Sequence, residues 1–268
     1  MITRILVLFA LLCGPVSLAP MARADSSMIE ARILTGWRQD DGSHVAALQL
    51  SMLDGWKTYW RAPGDAGIPP RFDWAGSDNL AAVQITWPTP RSIDQGGLRT
   101  IGYSDTVIWP LTLTPARAGQ PITLAGKIEL GVCKDICVPV TLILSQDLPK
   151  ATQRDPRIVS ALAARPYSAQ EAGVTSVRCS VSPVEGGLRL RADVKLPHTG
   201  GEEIAVIETS NPAIWVAQAA TTRQNGTLTA ETEMYHVEGG AFALDRSGLR
   251  ITVIGDNQAV DIQGCPSK

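Results

Sequence analysis

Ile122-Thr123-Leu124-Ala125-Gly126-Lys127-Ile128-Glu129-Leu130-Gly131-Val132-Cys133-Lys134-Asp135-Ile136-Cys137-Val138-Pro139-Val140-Thr141-Leu142-Ile143-Leu144 consists of two alternating apolar runs joined by a short tip between two cysteines. Ile122, Leu124, Ile128, Leu130 and Val132 share one parity, and Val138, Val140, Leu142 and Leu144 repeat it on the return. Residues of one parity line one face of a strand, so the pattern predicts two strands with their even residues toward a core. A disulfide brings its Cα atoms to about 4.4–6.8 Å, whereas four extended steps cover about 13 Å. If Cys133 and Cys137 pair, the chain must turn between them. The simplest form is a hairpin with Lys134-Asp135-Ile136 at its tip and the cysteines opposite each other at its mouth. Both cysteines are odd-numbered and are expected to point away from the core unless a bulge resets the register.

The same alternation recurs on either side. Val45–Leu50, Val83–Trp87 and Val107–Leu113 are strand candidates before the hairpin, with Gly and Pro between them. Short strands at this spacing predict an antiparallel sandwich. The pattern changes after residue 148. Asp155-Pro156 is a helix start with proline in the first turn, Ile158, Val159, Leu162 and Ala163 follow at helical spacing, and Pro166 ends the run. Strand patterns return in Val174–Val181, Leu188–Val194, Ile204–Glu208, Thr227–Met234 and Leu249–Ile254, and Asn225-Gly226 is a two-residue hairpin signal. The expected class is all-β: a sandwich over 25–148, a linker with one short helix over 149–172, and a second β-sandwich-like domain over 173–268.

Residues 1–24 read as a secretory signal peptide. Arg4 is the basic start, Ile5–Leu12 the apolar stretch, and Ala22-Arg23-Ala24 a small-x-small cleavage site. The chain is therefore expected in an export compartment, the periplasm if the source is Gram-negative, where disulfides persist. Net charge of −2 argues against a nucleic-acid surface, and the three histidines lie far apart. Cys133, Cys137, Cys179 and Cys265 remain after cleavage, and four cysteines allow three pairings. Cys179 and Cys265 lie at opposite ends of the second domain, and joining them closes a long loop, the mark of a structural disulfide.

The close pair reads differently. Its ring is too small to remove much unfolded-chain entropy, and Lys134 beside it favours a thiolate, the attacking species in exchange, although Asp135 opposes it. Redox exchange competes with a purely structural staple in a non-catalytic adaptor, and with a thiolate pair handling a soft ion such as copper(I). A lone C-x-x-x-C lacks the other ligands of a structural zinc site, and no C-x-x-C-H for haem attachment is present. No cofactor is expected.

Gly55-Trp56-Lys57-Thr58-Tyr59-Trp60-Arg61-Ala62-Pro63-Gly64-Asp65-Ala66-Gly67-Ile68-Pro69-Pro70-Arg71-Phe72-Asp73-Trp74, then Ile85-Thr86-Trp87-Pro88-Thr89-Pro90-Arg91, Gly102-Tyr103 and Gly131–Pro139 follow in an order that resembles the N-terminal periplasmic domain of DsbD/ScsB-type thiol–disulfide interchange proteins. The resemblance covers about residues 30–148. It implies an immunoglobulin-like sandwich whose cysteine pair, here Cys133 and Cys137, relays reducing equivalents. The implied partners are a membrane thiol electron transporter of DsbD/CcdA type and periplasmic thioredoxin-like or disulfide isomerase proteins, with cytochrome c biogenesis among the outlets. Neither the membrane domain nor the thioredoxin-like domain of DsbD is read in this sequence, so a separate electron donor is expected. The resemblance also implies a cap loop at 94–100, with Leu98 able to cover the sulfurs and Tyr103 beside the site.

Overall fold

The computed structural model describes residues 28–95, 97–150 and 153–266. The signal-peptide reading of 1–24, and Gly96 of the expected cap loop, lie outside the described residues.

The N-terminal half runs β1 (Ile29–Arg38), β2 (His44–Met52), β3 (Lys57–Tyr59), β4 (Arg71–Asp73), β5 (Leu80–Ile85), β6 (Arg91–Gln95), β7 (Leu98–Ser104), β8 (Thr106–Pro115), β9 (Ile122–Cys133) and β10 (Cys137–Leu148). After α1 (Pro156–Ala163) come β11 (Tyr167–Ser168), β12 (Ser176–Val184), β13 (Gly187–Lys195), β14 (Ile204–Glu208), β15 (Ile214–Val216), β16 (Ala220–Gln224), β17 (Thr227–His236), β18 (Arg250–Ile254) and β19 (Ala259–Gln263). The first half forms a sheet ordered β1-β2-β8-β5 and another ordered β10-β9-β3-β7-β6, with β4 also paired to β9. The second half forms β11-β19-β18-β14 and β12-β13-β17-β15, with β16 also on β17. The protein is all-β, an immunoglobulin-like sandwich followed by a second sandwich, with a minor helical link.

The apolar period of the long strands sets the core. Leu48, Leu50, Trp109, Leu111, Leu124, Ile128 and Leu130 meet in one core between the first two sheets. Trp109 anchors an aromatic group, with Trp87 at 4.9 Å, Phe72 at 5.9 Å and Tyr103 at 6.0 Å between ring centroids. Fully burying one such Leu or Ile contributes about 1.5–3 kcal/mol. The strand expected to reach Trp87 ends at Ile85, and Thr86 instead bonds through its amide to the Pro110 carbonyl.

Local signals set the connections. Asp155 caps α1 by accepting from the Arg157 amide, with Pro156 in the first turn. Asn225 and Gly226 join β16 to β17 with φ of 49° and 77°, the paired positive values of a type I′ turn.

The two sandwiches share apolar contacts and ion pairs. Ile204, Ile254 and Ala259 of the second half are buried in the same cluster as the first core. Arg61 donates from Nε to Glu208 Oε1 at 3.0 Å and from Nη2 to Oε2 at 2.8 Å, with its guanidinium 3.9 Å from the Trp60 ring centroid. Arg99 pairs with Glu202 at 2.8 Å, and Gln218 donates to the Arg99 carbonyl at 2.7 Å. Among the described residues no helix is long and apolar enough to cross a membrane.

Candidate functional site

The β9–β10 hairpin pairs without a register shift from Ile122↔Leu148 to Cys133↔Cys137. The Lys134 amide closes the tip on the Ile136 carbonyl at 3.1 Å. A disulfide joins Cys133 to Cys137 with the Cα atoms 4.1 Å apart.

The two sulfurs live in different surroundings. Cys137 belongs to an exposed residue at the start of β10, whereas Cys133 is 0% exposed. Parity alone predicts outward, open positions for both. The cause of the difference lies in β3, which pairs Lys57 with Cys133 and Thr58 with Val132. Tyr59 then projects over the outer face of β9. A Cβ on Gly131 would sit 3.1 Å from Tyr59 Cε2 and 3.0 Å from Ile68 Cβ, a crowding that glycine avoids where this ring lies against the backbone. The alternation of β9 stops there, and Leu130, Gly131, Val132 and Cys133 are all buried.

The Tyr59 hydroxyl lies 2.9 Å from Cys133 Sγ and 3.1 Å from Cys137 Sγ. Disulfide sulfurs carry no proton, so the hydroxyl is the donor. Burial raises the Tyr59 pKa, which keeps the phenol protonated and donating at neutral pH.

Lys57 is nearly buried and shares the face of Cys133. Burial lowers its pKa, while the Asp94 carboxylate on β6 pulls the other way. β3 therefore puts two polar side chains on the face of Cys133, and of these the Tyr59 hydroxyl reaches both sulfurs. Three residues are too few to show a strand period, and in the sequence they stand out only within the run 55–74 that carries the family resemblance.

The other expected residues are placed as follows. Lys134 is exposed; its Nζ donates to the Asp54 carbonyl at 3.3 Å, and its stem lies against Gly55. Tyr103 pairs with Thr58 across β3–β7, packs on Trp109, and donates to the Pro88 carbonyl at 2.8 Å. Burial raises its pKa well above the ordinary tyrosine value. Its side chain serves the core, on the face of the sheet opposite that of Cys133. Leu98 is 60% exposed at the turn end of β7, opposite Gln95. Cys179 and Cys265 form a second, buried disulfide that closes a span of 86 residues. A chain-entropy argument gives the long loop about 4–5 kcal/mol and the short ring about 2 kcal/mol. Among the described residues no group of three or more His, Cys, Asp or Glu is placed to hold a metal.

The arrangement suits nucleophilic attack at one sulfur. Cys137 is open to a partner, and the buried Cys133 sulfur has a donor in place to receive a leaving thiolate.

Residues 30–147 match the family described as thiol:disulfide interchange protein DsbD, N-terminal. Among solved structures, the N-terminal periplasmic domain of ScsB from Proteus mirabilis is 20% identical, with a TM-score of 0.71 over 92% of this chain and 97% of that one. At this identity the likeness is one of fold, and it takes in both sandwiches. A protein of unknown function from Porphyromonas gingivalis W83 is 12% identical over 88% of this chain and 99% of its own, but its TM-score of 0.22 carries no weight. No curated protein matches the chain. By the match over 30–147, the sandwich that carries the Cys133–Cys137 hairpin belongs to the DsbD N-terminal family of thiol:disulfide interchange proteins.

Proposed function

We propose that the protein is a periplasmic thiol–disulfide relay working through Cys133 and Cys137. It takes reducing equivalents from a membrane thiol transporter of DsbD/CcdA type and passes them to thioredoxin-like or disulfide isomerase proteins. The observation that carries this reading is the asymmetry of the pair: an exposed Cys137, and a buried Cys133 under the Tyr59 hydroxyl.

In the charging direction a donor thiolate attacks Cys137 Sγ. The new S–S bond forms as the Cys133–Cys137 bond breaks, and its electron pair leaves on Cys133 Sγ. A second donor thiolate then displaces Cys137, so the donor ends as a disulfide and the pair as two thiols after protonation by water. Delivery runs in reverse: Cys137 attacks the client disulfide and Cys133 resolves the mixed disulfide. The exposed Leu98 on the β6–β7 hairpin supplies the apolar cover of a cap over 94–100. Cys179–Cys265 is a structural bond that takes no part.

Trapping in the periplasm tests this. The Cys133→Ala variant, which leaves Cys137 free, is expected to form discrete DTT-sensitive adducts identified by mass spectrometry, and the Cys137→Ala variant few or none. No adduct from either variant, with the wild-type 133–137 bond resisting mild reduction, overturns the relay and leaves a stapled binding module.

A further inference from the structure

Lys57 occupies an unusual place for its type. Lysine is almost never buried without a partner, yet Lys57 is 8% exposed in the middle of a sheet. It stands directly across from Cys133 on one side and Ser104 on the other, which puts the three side chains on one face. Directly opposed residues of an antiparallel pair have Cβ atoms about 4.5–5.5 Å apart. Tyr59, two residues on, shares that face and reaches both sulfurs.

By register this face also carries Arg91 on β6, Arg71 and Asp73 on β4, and Lys127 and Glu129 further along β9. Asp94 on β6 acts on Lys57. Lys134 and Asp135 sit exposed at the hairpin tip, where the Lys134 ammonium bonds to the Asp54 carbonyl. The cation nearest in register to the buried sulfur is therefore Lys57, and the mechanism above leaves it unused.

The geometry assigns Lys57 as the positioning residue that stabilises the Cys133 thiolate released when a partner attacks Cys137. This rests on the relay reading. Lys57 forms no bond and transfers no proton. The electron pair of the broken S–S bond settles on Cys133 Sγ, with the Lys57 side chain on the same face of the sheet and the Tyr59 hydroxyl donating to it. Burial weakens solvent screening of that attraction, and the same burial lowers the Lys57 pKa, so a new anion at Cys133 relieves the lysine as well.

Cys137→Ser in the mature chain isolates Cys133 as a single thiol, and its pKa is read from ultraviolet thiolate absorbance. In that background Lys57→Met is expected to raise the Cys133 pKa by about one unit or more, and Lys57→Arg to hold it near the parent value. An unchanged pKa in a folded Lys57→Met protein overturns the assignment. A reciprocal reading needs no change at Lys57, because coupling between two sites is mutual. The ammonium pKa of Lys57, followed by NMR, is expected to fall when Cys133→Ala is added to Cys137→Ser, and an unchanged value overturns the assignment equally. Neither measurement uses a partner. Coupling without trapped adducts would sink the relay alone, and adducts without coupling would sink the role of Lys57 alone.

Discussion

Tyr59 decides how the two sulfurs differ. Its ring fills the space above Gly131, and its hydroxyl donates toward a disulfide that has no proton to give back. A hydrogen bond to a charged group contributes about 1.5–3 kcal/mol, so the contact gains strength as Cys133 becomes a thiolate. Tyr59→Phe keeps the ring and is expected to slow reduction of the 133–137 bond by small thiols about tenfold or more, with little change in thermal stability. Burial holds the phenol above its ordinary pKa of about 10, so the rate ratio of wild type to variant should stay flat from neutral pH to about 9. Stopped-flow reduction checks both statements, and equal rates would show that the hydroxyl does not act on the leaving sulfur.

Among the elements, β2 carries a buried titratable group far from the sulfurs. His44 is buried opposite Arg38, and its Nε2–H donates to the Thr35 carbonyl at 2.6 Å. Burial lowers its pKa, the bond to Thr35 offsets this in part, and Arg38 adds to the lowering. The folded state thus binds a proton less readily than the unfolded chain, whose histidine titrates near about 6.5. Stability contributed by neutral His44 is full above that pH and is lost as pH falls through the folded value. Chemical denaturation from pH 7.5 to 5 should show wild type losing more stability than His44→Gln, which cannot take up the proton. Parallel curves would place His44 outside the acid sensitivity. The hairpin elements follow local rules throughout: the cysteine mouth, the Asn225-Gly226 turn and the Asp155 cap each arise from residues a few positions apart.

Across the whole molecule, the second sandwich is tied to the strands that build the site. Arg61 lies two residues after Tyr59 and is held by Glu208 and the Trp60 ring, and β7 is held through Arg99 by Glu202 and Gln218. The Arg61 and Glu208 side chains are only 14% and 22% exposed. Removing one partner of a buried pair leaves the other charge stranded, at about 3–5 kcal/mol. Residual exposure puts Glu208→Ala near the low end, at about 3 kcal/mol. The double change Arg61→Met/Glu208→Leu should cost far less, since an apolar pair replaces the ions. Urea midpoints of both variants test this, and a Glu208→Ala midpoint equal to wild type would mean that the pair does not couple the two halves.

The sequence by itself determined the all-β class, the helix at Asp155-Pro156, and the cysteine hairpin with its register, because each depends on periodicity or turn chemistry within a few residues. It also placed Cys137 on an open face, since parity is a local property. Only the tertiary structure decided that Cys133 is closed off. That outcome needs β3, three residues long and more than 70 positions away, to pair with β9 and lay Tyr59 over Gly131. Lys57 and the Arg61–Glu208 pair belong to the same class. Their roles come from partners brought together by sheet order and by the packing of two sandwiches, and no spacing along the chain encodes that.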